Sequence, residues 1–195
     1  MNKETNEYDY ILNNFDLKNK RILDVGCGNY INTLKFLAKR PKLLVGIDNK
    51  QPNAKLKTKK CLFIRSNCEK IPYKKNKFDI VTCIRVFPYV NIDKTIKEIA
   101  RVTKNNGIIL ISCHGIGYYF SEIFKAHKLK SILCILNGLV YHIFNLKFKK
   151  VDSFQFKYKI VKILNKYDIE TKKETIFKKY GIFKVLFMLY CKVNK

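Results

Sequence analysis

Apolar residues in this chain fall into short unbroken runs separated by polar stretches, the pattern of strands buried on both faces. Ile22, Leu23 and Val25 form the first run, and Gly26 and Gly28 end it. Leu43–Ile47 (LLVGI), Cys61–Ile64 (CLFI), Phe78–Ile84 and Ile108–Cys113 follow as strands two to five. Between them the period lengthens to that of a helix. Ile31, Leu34, Leu37 and Ala38 share one face over 31–39, and Pro41 prevents that helix from continuing. Ile92, Ile96, Ile99 and Ala100 do the same over 93–103, with the stop at Asn106 and Gly107. Residues 8–15 give a short helix covering the sheet edge, and 50–60 a lysine-rich stretch that reads as a solvated connection or a short helix. The chain closes with a helix over 156–167, its spacing marked by Tyr158, Val161, Ile163 and Leu164. An alternating strand at Ile169–Phe177, a turn at Gly181 and an apolar strand at Phe183–Val193 follow it. Strands alternating with helices predict an α/β fold around a parallel sheet.

The stretch after the fifth strand breaks this rhythm. His114–Phe120 (HGIGYYF) reads as a loop at the carboxyl end of the sheet, where open α/β sheets bind ligands. Ser131–Leu146 (SILCILNGLVYHIFNL) is strongly apolar, preceded by Lys125, Lys128 and Lys130 and followed by Lys147, Lys149 and Lys150. It fits a helical cap, an amphipathic helix lying on a membrane surface, or a hairpin turning at Asn137 and Gly138. Its apolar residues do not alternate, which disfavours the hairpin, and the cap is the preferred reading. A peripheral membrane contact through 131–146 stays open.

The first strand, its glycines and the helix after them make half of a nucleotide-binding unit. Strand two ends in Asp48, about 20 residues past the glycine loop, where a carboxylate accepts both hydrogen bonds of a ribose diol. The third glycine of the dinucleotide fingerprint is replaced by Ile31, and Asp24 within the first strand repels a phosphate. An adenosine ligand that lacks phosphate and carries positive charge suits these residues better.

With those residues in view the chain resembles the class I S-adenosylmethionine-dependent methyltransferases, in particular the large group of small-molecule enzymes. LDVGCG (Leu23–Gly28) is similar to the cofactor loop and VGIDNK (Val45–Lys50) to the ribose-binding motif. The run from Asn67 through CEKIPY to Phe78–Val81 resembles the adenine-side loop and fourth strand. Lys97–Ser112 resembles the helix, turn and fifth strand that follow. The resemblance implies a Rossmann-like doubly wound sheet of seven strands, mostly parallel with one antiparallel strand, in a single domain over 1–195 whose cap insertion covers about 115–150. It implies S-adenosylmethionine as cofactor. Asp24, Gly26, Cys27 and Gly28 would lie at the methionine end, Asp48 and Asn49 at the ribose, and Asn67 and Cys68 along the adenine. The family usually has Asp where Asn67 stands.

Composition adds one unusual feature, a formal net charge of +25. Only five of the 40 basic residues are Arg, whereas base and phosphate recognition favours Arg forks, and the excess is spread evenly along the chain. Nucleic acid is therefore not the favoured partner, and a small-molecule acceptor is. Seven cysteines with no CxxC pair and no metal-ligand spacing point to a reducing, cytoplasmic compartment without a metal. The polar, acidic start (MNKETNEYDY) does not read as a secretory leader, and no run reaches the about 18 apolar residues of a membrane span. Oligomeric state is not legible.

Methyl transfer needs an acceptor and, for an acceptor that must lose a proton, a base. His114 is the first candidate because imidazole titrates near neutrality; the alternative is a histidine held structurally at a strand end. Tyr89 stands where many relatives carry His, and a phenol with a pKa of about 10 is suited to packing or positioning as much as to catalysis. CIRVFP follows strand four in place of a DPPY- or NPPF-like tetrad, which lowers the expectation of amide or base-amine methylation. Oxygen methylation of a small-molecule, sugar or lipid-linked acceptor leads. An RNA-directed methyltransferase and a non-catalytic module that kept the fold are the rivals.

Overall fold

The structure is a computed structural model that describes residues 6–50, 60–126, 129–144 and 156–194. Seven strands form one sheet: β1 (Arg21–Val25), β2 (Leu43–Asp48), β3 (Cys61–Arg65), β4 (Phe78–Ile84), β5 (Thr103–His114), β6 (Ile169–Tyr180) and β7 (Phe183–Val193). Their order is β3-β2-β1-β4-β5-β7-β6, and β7 alone runs antiparallel to its neighbours. This is the doubly wound, mostly parallel sheet expected, with strand order reversing beside β1.

Strand alternation divides the core. Leu23, Val25, Val81 and Ile109 face α3 (Ile92–Val102) and α6 (Lys157–Lys166), whose Ile96, Ile99, Ile160 and Leu164 are buried against them. Ile22, Leu44, Ile80, Leu110 and Met188 face the other way, toward Tyr8 and Ile11 of α1 (Glu7–Asn14) and Phe36. Thus α1 crosses a face of the sheet, from Phe36 beside Tyr8 to Phe177 and Thr175 beside Tyr10, and does not cover its edge. After β5 come α4 (Ile116–Ala126), packed on β7, and α5 (Leu129–Phe144), packed on α4.

Four local expectations change. Over 31–39 only α2 (Ile31–Leu34) is α-helical, and Lys35–Lys39 winds as a 3₁₀ turn. The tighter winding rotates the buried face to Thr33 and Phe36, leaving Ile31 61% exposed and Leu37 outside. Residues 104–107 are not a separate turn. β5 starts at Thr103, and the register jump from Phe78↔Thr103 to Ile80↔Ile108 absorbs them as an excursion, with Asn106 at φ +57°. In α6 Ile160 and Leu164 are buried while Tyr158 stays outside, and the supposed substrate loop at 114–120 is mostly α4. The glycines of HGIG serve packing, because a Cβ at Gly115 would stand 2.3 Å from the Lys184 carbonyl oxygen and one at Gly117 2.9 Å from it. The solvated connection falls on residues 51–59, outside the described residues.

Candidate active site

The carboxyl end of β1 is pinned to β2. Gly26 N–H and Cys27 N–H both donate to the Ile47 carbonyl, at 2.8 and 3.1 Å. Gly26 is required twice over: its φ is +73°, and a Cβ there would lie 2.2 Å from a methyl carbon of Val86. Gly28 differs. Its φ is +56°, but a Cβ would meet nothing within 4 Å, so the backbone here borders open space. Across that space Asp48 closes the loop, its carboxylate accepting Gly28 N–H and Lys50 N–H, each at 2.9 Å. Each carboxylate oxygen retains acceptor capacity, which is what a ribose diol needs. Donor chemistry and open backbone both fit the nucleoside half of S-adenosylmethionine.

Asp24 does something else. Alternation puts it on the Ile22 face, under α1, and it is fully buried. Tyr8 donates to it at 3.1 Å, Thr82 at 2.6 Å, and Thr33 through a short hydroxyl contact. Burial pushes its carboxyl up to about 6, against those three hydrogen bonds. The expected contact with the methionine end is thus not made by exposed Asp24 surface; the carboxylate ties β1, β4, α1 and α2 together beneath the loop. Nor does the Cys27 side chain reach the loop mouth. It is buried, and a Cβ on Gly46 would stand 2.9 Å from its Sγ. Burial first, and the charges of Asp24 and Asp48, push its thiol up to about 12.

The remaining cofactor candidates line the ends of β2 and β3. Asn49 is exposed, and its carbonyl accepts Arg65 Nε–H at 3.1 Å. Exposed Asn67 builds a turn, its Oδ1 accepting Glu69 N–H at 2.8 Å. Cys68 is buried beside Thr95, 3.7 Å from its hydroxyl, and burial raises its thiol. Any adenine contact from Cys68 would therefore come from its backbone.

On the acceptor side, Tyr89 ends a 3₁₀ turn (Phe87–Tyr89) after β4 and is 69% exposed. His114 ends β5, with its ring centroid 4.1 Å from that of Tyr118 on α4. Between them lies a cluster that sequence reasoning missed. Arg85, at φ +58°, grips Glu7 in a bidentate pair at 2.6 Å per bond, and Ser112 donates to the same carboxylate at 2.8 Å. Burial pushes the Glu7 carboxyl up, but the Arg85 guanidinium and Ser112 outweigh it and hold it below the usual range. Arg85, though partly exposed, is therefore committed to α1. The only sequence signal for this was the charge itself, since Glu7 lies 78 residues from Arg85 and 105 from Ser112. Asp79, at the opposite end of β4, accepts Arg21 N–H at 2.7 Å and the Lys104 ammonium at 2.5 Å, an anchor far from the carboxyl ends.

A cavity of about 630 Å³ opens just past the end of β5, lined by Gly115, Ile116, Phe156, Phe183, Phe187 and the lysines of α6 and β7. Among the described residues no group of three His, Cys, Asp or Glu side chains forms a metal site.

Comparison with known proteins agrees with this geometry. The family model for a methyltransferase domain matches residues 23–111. An uncharacterized protein of Methanocaldococcus jannaschii is 33% identical over 128 residues, covering 63% of this chain and 54% of its own. A sterol 4-C-methyltransferase of Caenorhabditis elegans is 29% identical over 107 residues, 48% of this chain and 31% of its own. The chain thus spans about half or less of the curated relatives it matches. In fold, an S-adenosylmethionine-dependent methyltransferase of Methanosarcina mazei superposes with a TM-score of 0.66 at 17% identity, over 95% of this chain and 97% of that one. Matched domain and matched fold lead to one conclusion: residues 23–111 carry a methyltransferase domain, on the fold of the S-adenosylmethionine-dependent methyltransferases, and S-adenosylmethionine is the cofactor that goes with it.

Proposed function

We propose that the protein transfers a methyl group from S-adenosylmethionine to the oxygen of a small-molecule, sugar or lipid-linked acceptor. The observation that carries the acceptor class is the cavity at Gly115 and Ile116. Its walls are aromatic and aliphatic, and Lys157, Lys159, Lys162 and Lys184 stand around it, a lining that suits an apolar body with a negative group. It adjoins the carboxyl end of β5, which is two strands from β1, or about 10 Å across the sheet.

The division of labour follows from position. Asp48 accepts the ribose hydroxyls, Gly28 leaves the backbone open to the nucleoside, and the Asn67–Cys68 turn flanks the adenine. The cofactor, when bound, supplies the activated methyl group, so the chain's own task is alignment and exclusion of water. In this reading His114, which precedes Gly115 of the cavity wall in the chain, takes the acceptor's hydroxyl proton. Tyr89, on the neighbouring strand end, positions the acceptor. The Caenorhabditis relative, named for a sterol, supports an apolar acceptor.

The test incubates the full chain with radiolabelled S-adenosylmethionine and a panel of amphipathic hydroxy acids, sugar phosphates and isoprenoid phosphates, with total RNA alongside. Label on the oxygen of an anionic amphiphile supports the proposal. Label on RNA overturns it in favour of the basic surface, and a folded protein that does not bind S-adenosylmethionine overturns it in favour of a non-catalytic module.

A further inference from the structure

Helix α5 is built inside out. Among its described side chains the buried positions are Cys134, Asn137 and Gly138, two of them small and one polar. The exposed ones are Ile132, Leu133, Leu136, Leu139, Ile143 and Phe144, all large and apolar. Ile132, Leu136, Leu139 and Ile143 recur at i, i+4, i+7 and i+11, so they form one continuous stripe, with Leu133 and Phe144 along its flank. Ile143 is 69% exposed and Phe144 66%. A solvated helix has the opposite arrangement, and a stripe of this kind marks a contact surface.

The sequence around the stripe says what kind. Between Glu122 and Asp152 there is no acidic residue, while Lys125 and Lys128 precede α5, Lys130 opens it, and Lys147, Lys149 and Lys150 follow. A second copy of this chain is a poor occupant. An isologous contact would bring two sets of these lysines together on chains of net charge +25. An anionic lipid surface complements both features, taking the stripe into the acyl boundary and the lysines among its headgroups. Sixteen residues span about 24 Å, short of the hydrocarbon thickness of about 30 Å, and no helix among the described residues is long and apolar enough to cross a membrane.

We propose that α5 is a membrane-docking helix that lies in the plane of an anionic bilayer through the Ile132–Phe144 stripe. The contact does not depend on which acceptor is methylated, or on methyl transfer at all. The test is vesicle flotation of the full chain at moderate salt, with phosphatidylcholine vesicles that contain or lack phosphatidylglycerol. The variant Leu133→Ser/Leu136→Ser/Ile143→Ser keeps every charge and touches only exposed positions. Circular dichroism and titration with S-adenosylmethionine check that its fold and cofactor site are unchanged.

Wild-type protein is expected to float with the anionic vesicles, and the variant to bind them more than about tenfold less tightly. Several results would overturn the proposal. They are no uptake by anionic vesicles, equal uptake by neutral ones, and undiminished binding by the variant, which would assign the attraction to charge alone. A concentration-dependent dimer in ultracentrifugation that the variant abolishes, without vesicle uptake, would give the stripe to a second copy.

Discussion

Replacing Asp48 by Ala should nearly abolish cofactor binding while leaving the fold intact. The carboxylate already accepts Gly28 N–H and Lys50 N–H, one on each oxygen, and retains one acceptor position per oxygen for a ribose hydroxyl. A hydrogen bond to a charged group contributes about 1.5–3 kcal/mol, so two together contribute about 3–6 kcal/mol. At about 1.4 kcal/mol per tenfold change, S-adenosylmethionine affinity should fall by two to four powers of ten. Asp48→Asn keeps one acceptor oxygen and should lose about one power of ten. The folding cost is smaller: the two backbone N–H groups are near solvent, so water replaces the carboxylate at about 1–2 kcal/mol, a few degrees in Tm. Calorimetric titration reads the affinity and thermal unfolding the stability. Repeating the titration with the 2′-deoxy cofactor sharpens the result. If Asp48 holds the diol, the deoxy ligand and the Ala variant are strongly non-additive. Affinity within about threefold of wild type in a folded Asp48→Ala protein would refute the ribose assignment.

Gly26→Ala should cost stability and cofactor binding together, because the new methyl meets Val86 at φ +73°. Gly28→Ala should cost only about 1–2 kcal/mol of stability yet still weaken S-adenosylmethionine, because its methyl enters open space that the ligand needs. Equal stability losses in urea unfolding would contradict this contrast. Arg85→Ala leaves the buried Glu7 carboxylate with Ser112 alone and should destabilise by about 2–4 kcal/mol, the lower half applying because Arg85 is itself partly exposed, with Glu7→Gln in the same background recovering part of the loss. Asp24 sets a pH dependence. Its folded-state pKa, raised to about 6, exceeds the unfolded value of about 3.9, so the folded protein keeps a proton that the unfolded chain releases. Ionised Asp24 therefore opposes folding increasingly from about pH 4 to about pH 6, by about 2–3 kcal/mol in all, and the penalty stays constant above. Asp24→Asn removes this slope, so urea unfolding should show wild type losing ground to the variant across that window; a constant difference would count against the raised pKa.

The sheet was legible because strands buried on both faces must be apolar throughout, and β1, β2, β4 and β7 begin and end within a residue of their sequence patterns. The loop and its acidic partner were legible because a positive-φ turn and a carboxylate that bonds the loop backbone each restrict residue type. What escaped was set at long range. Nothing local to Glu7 or Tyr8 marks them as partners of Arg85, Ser112 and Asp24, which only the sheet brings near. The glycines of HGIG resemble those of a mobile loop, yet they are there because α4 starts against the backbone of β7. In α5 the apolar run extends so far around the helix that periodicity could not tell the inner side from the outer. Packing on α4 decides it, and buries Asn137 while leaving Leu133 and Ile143 outside.

Two aspartates in neighbouring motifs thus have opposite tasks, and the sheet register explains why. Asp24 is paired in register with Gly46, so Asp48 lies two residues, about 7 Å, further toward the carboxyl end. Both belong to the sheet face that α1 and α2 cover, but the cover stops between them. Asp24 lies beneath it, where Tyr8, Thr33 and Thr82 replace the water it loses. Asp48 lies beyond it, at the rim of the open space above Gly28. A carboxylate under the cover acts on stability and its pH dependence; in the proposed function, one beyond it acts on ligand affinity. The same boundary accounts for the two glycines. Gly26 is enclosed by Val86 and tolerates no side chain, whereas Gly28 has room that only a ligand would fill.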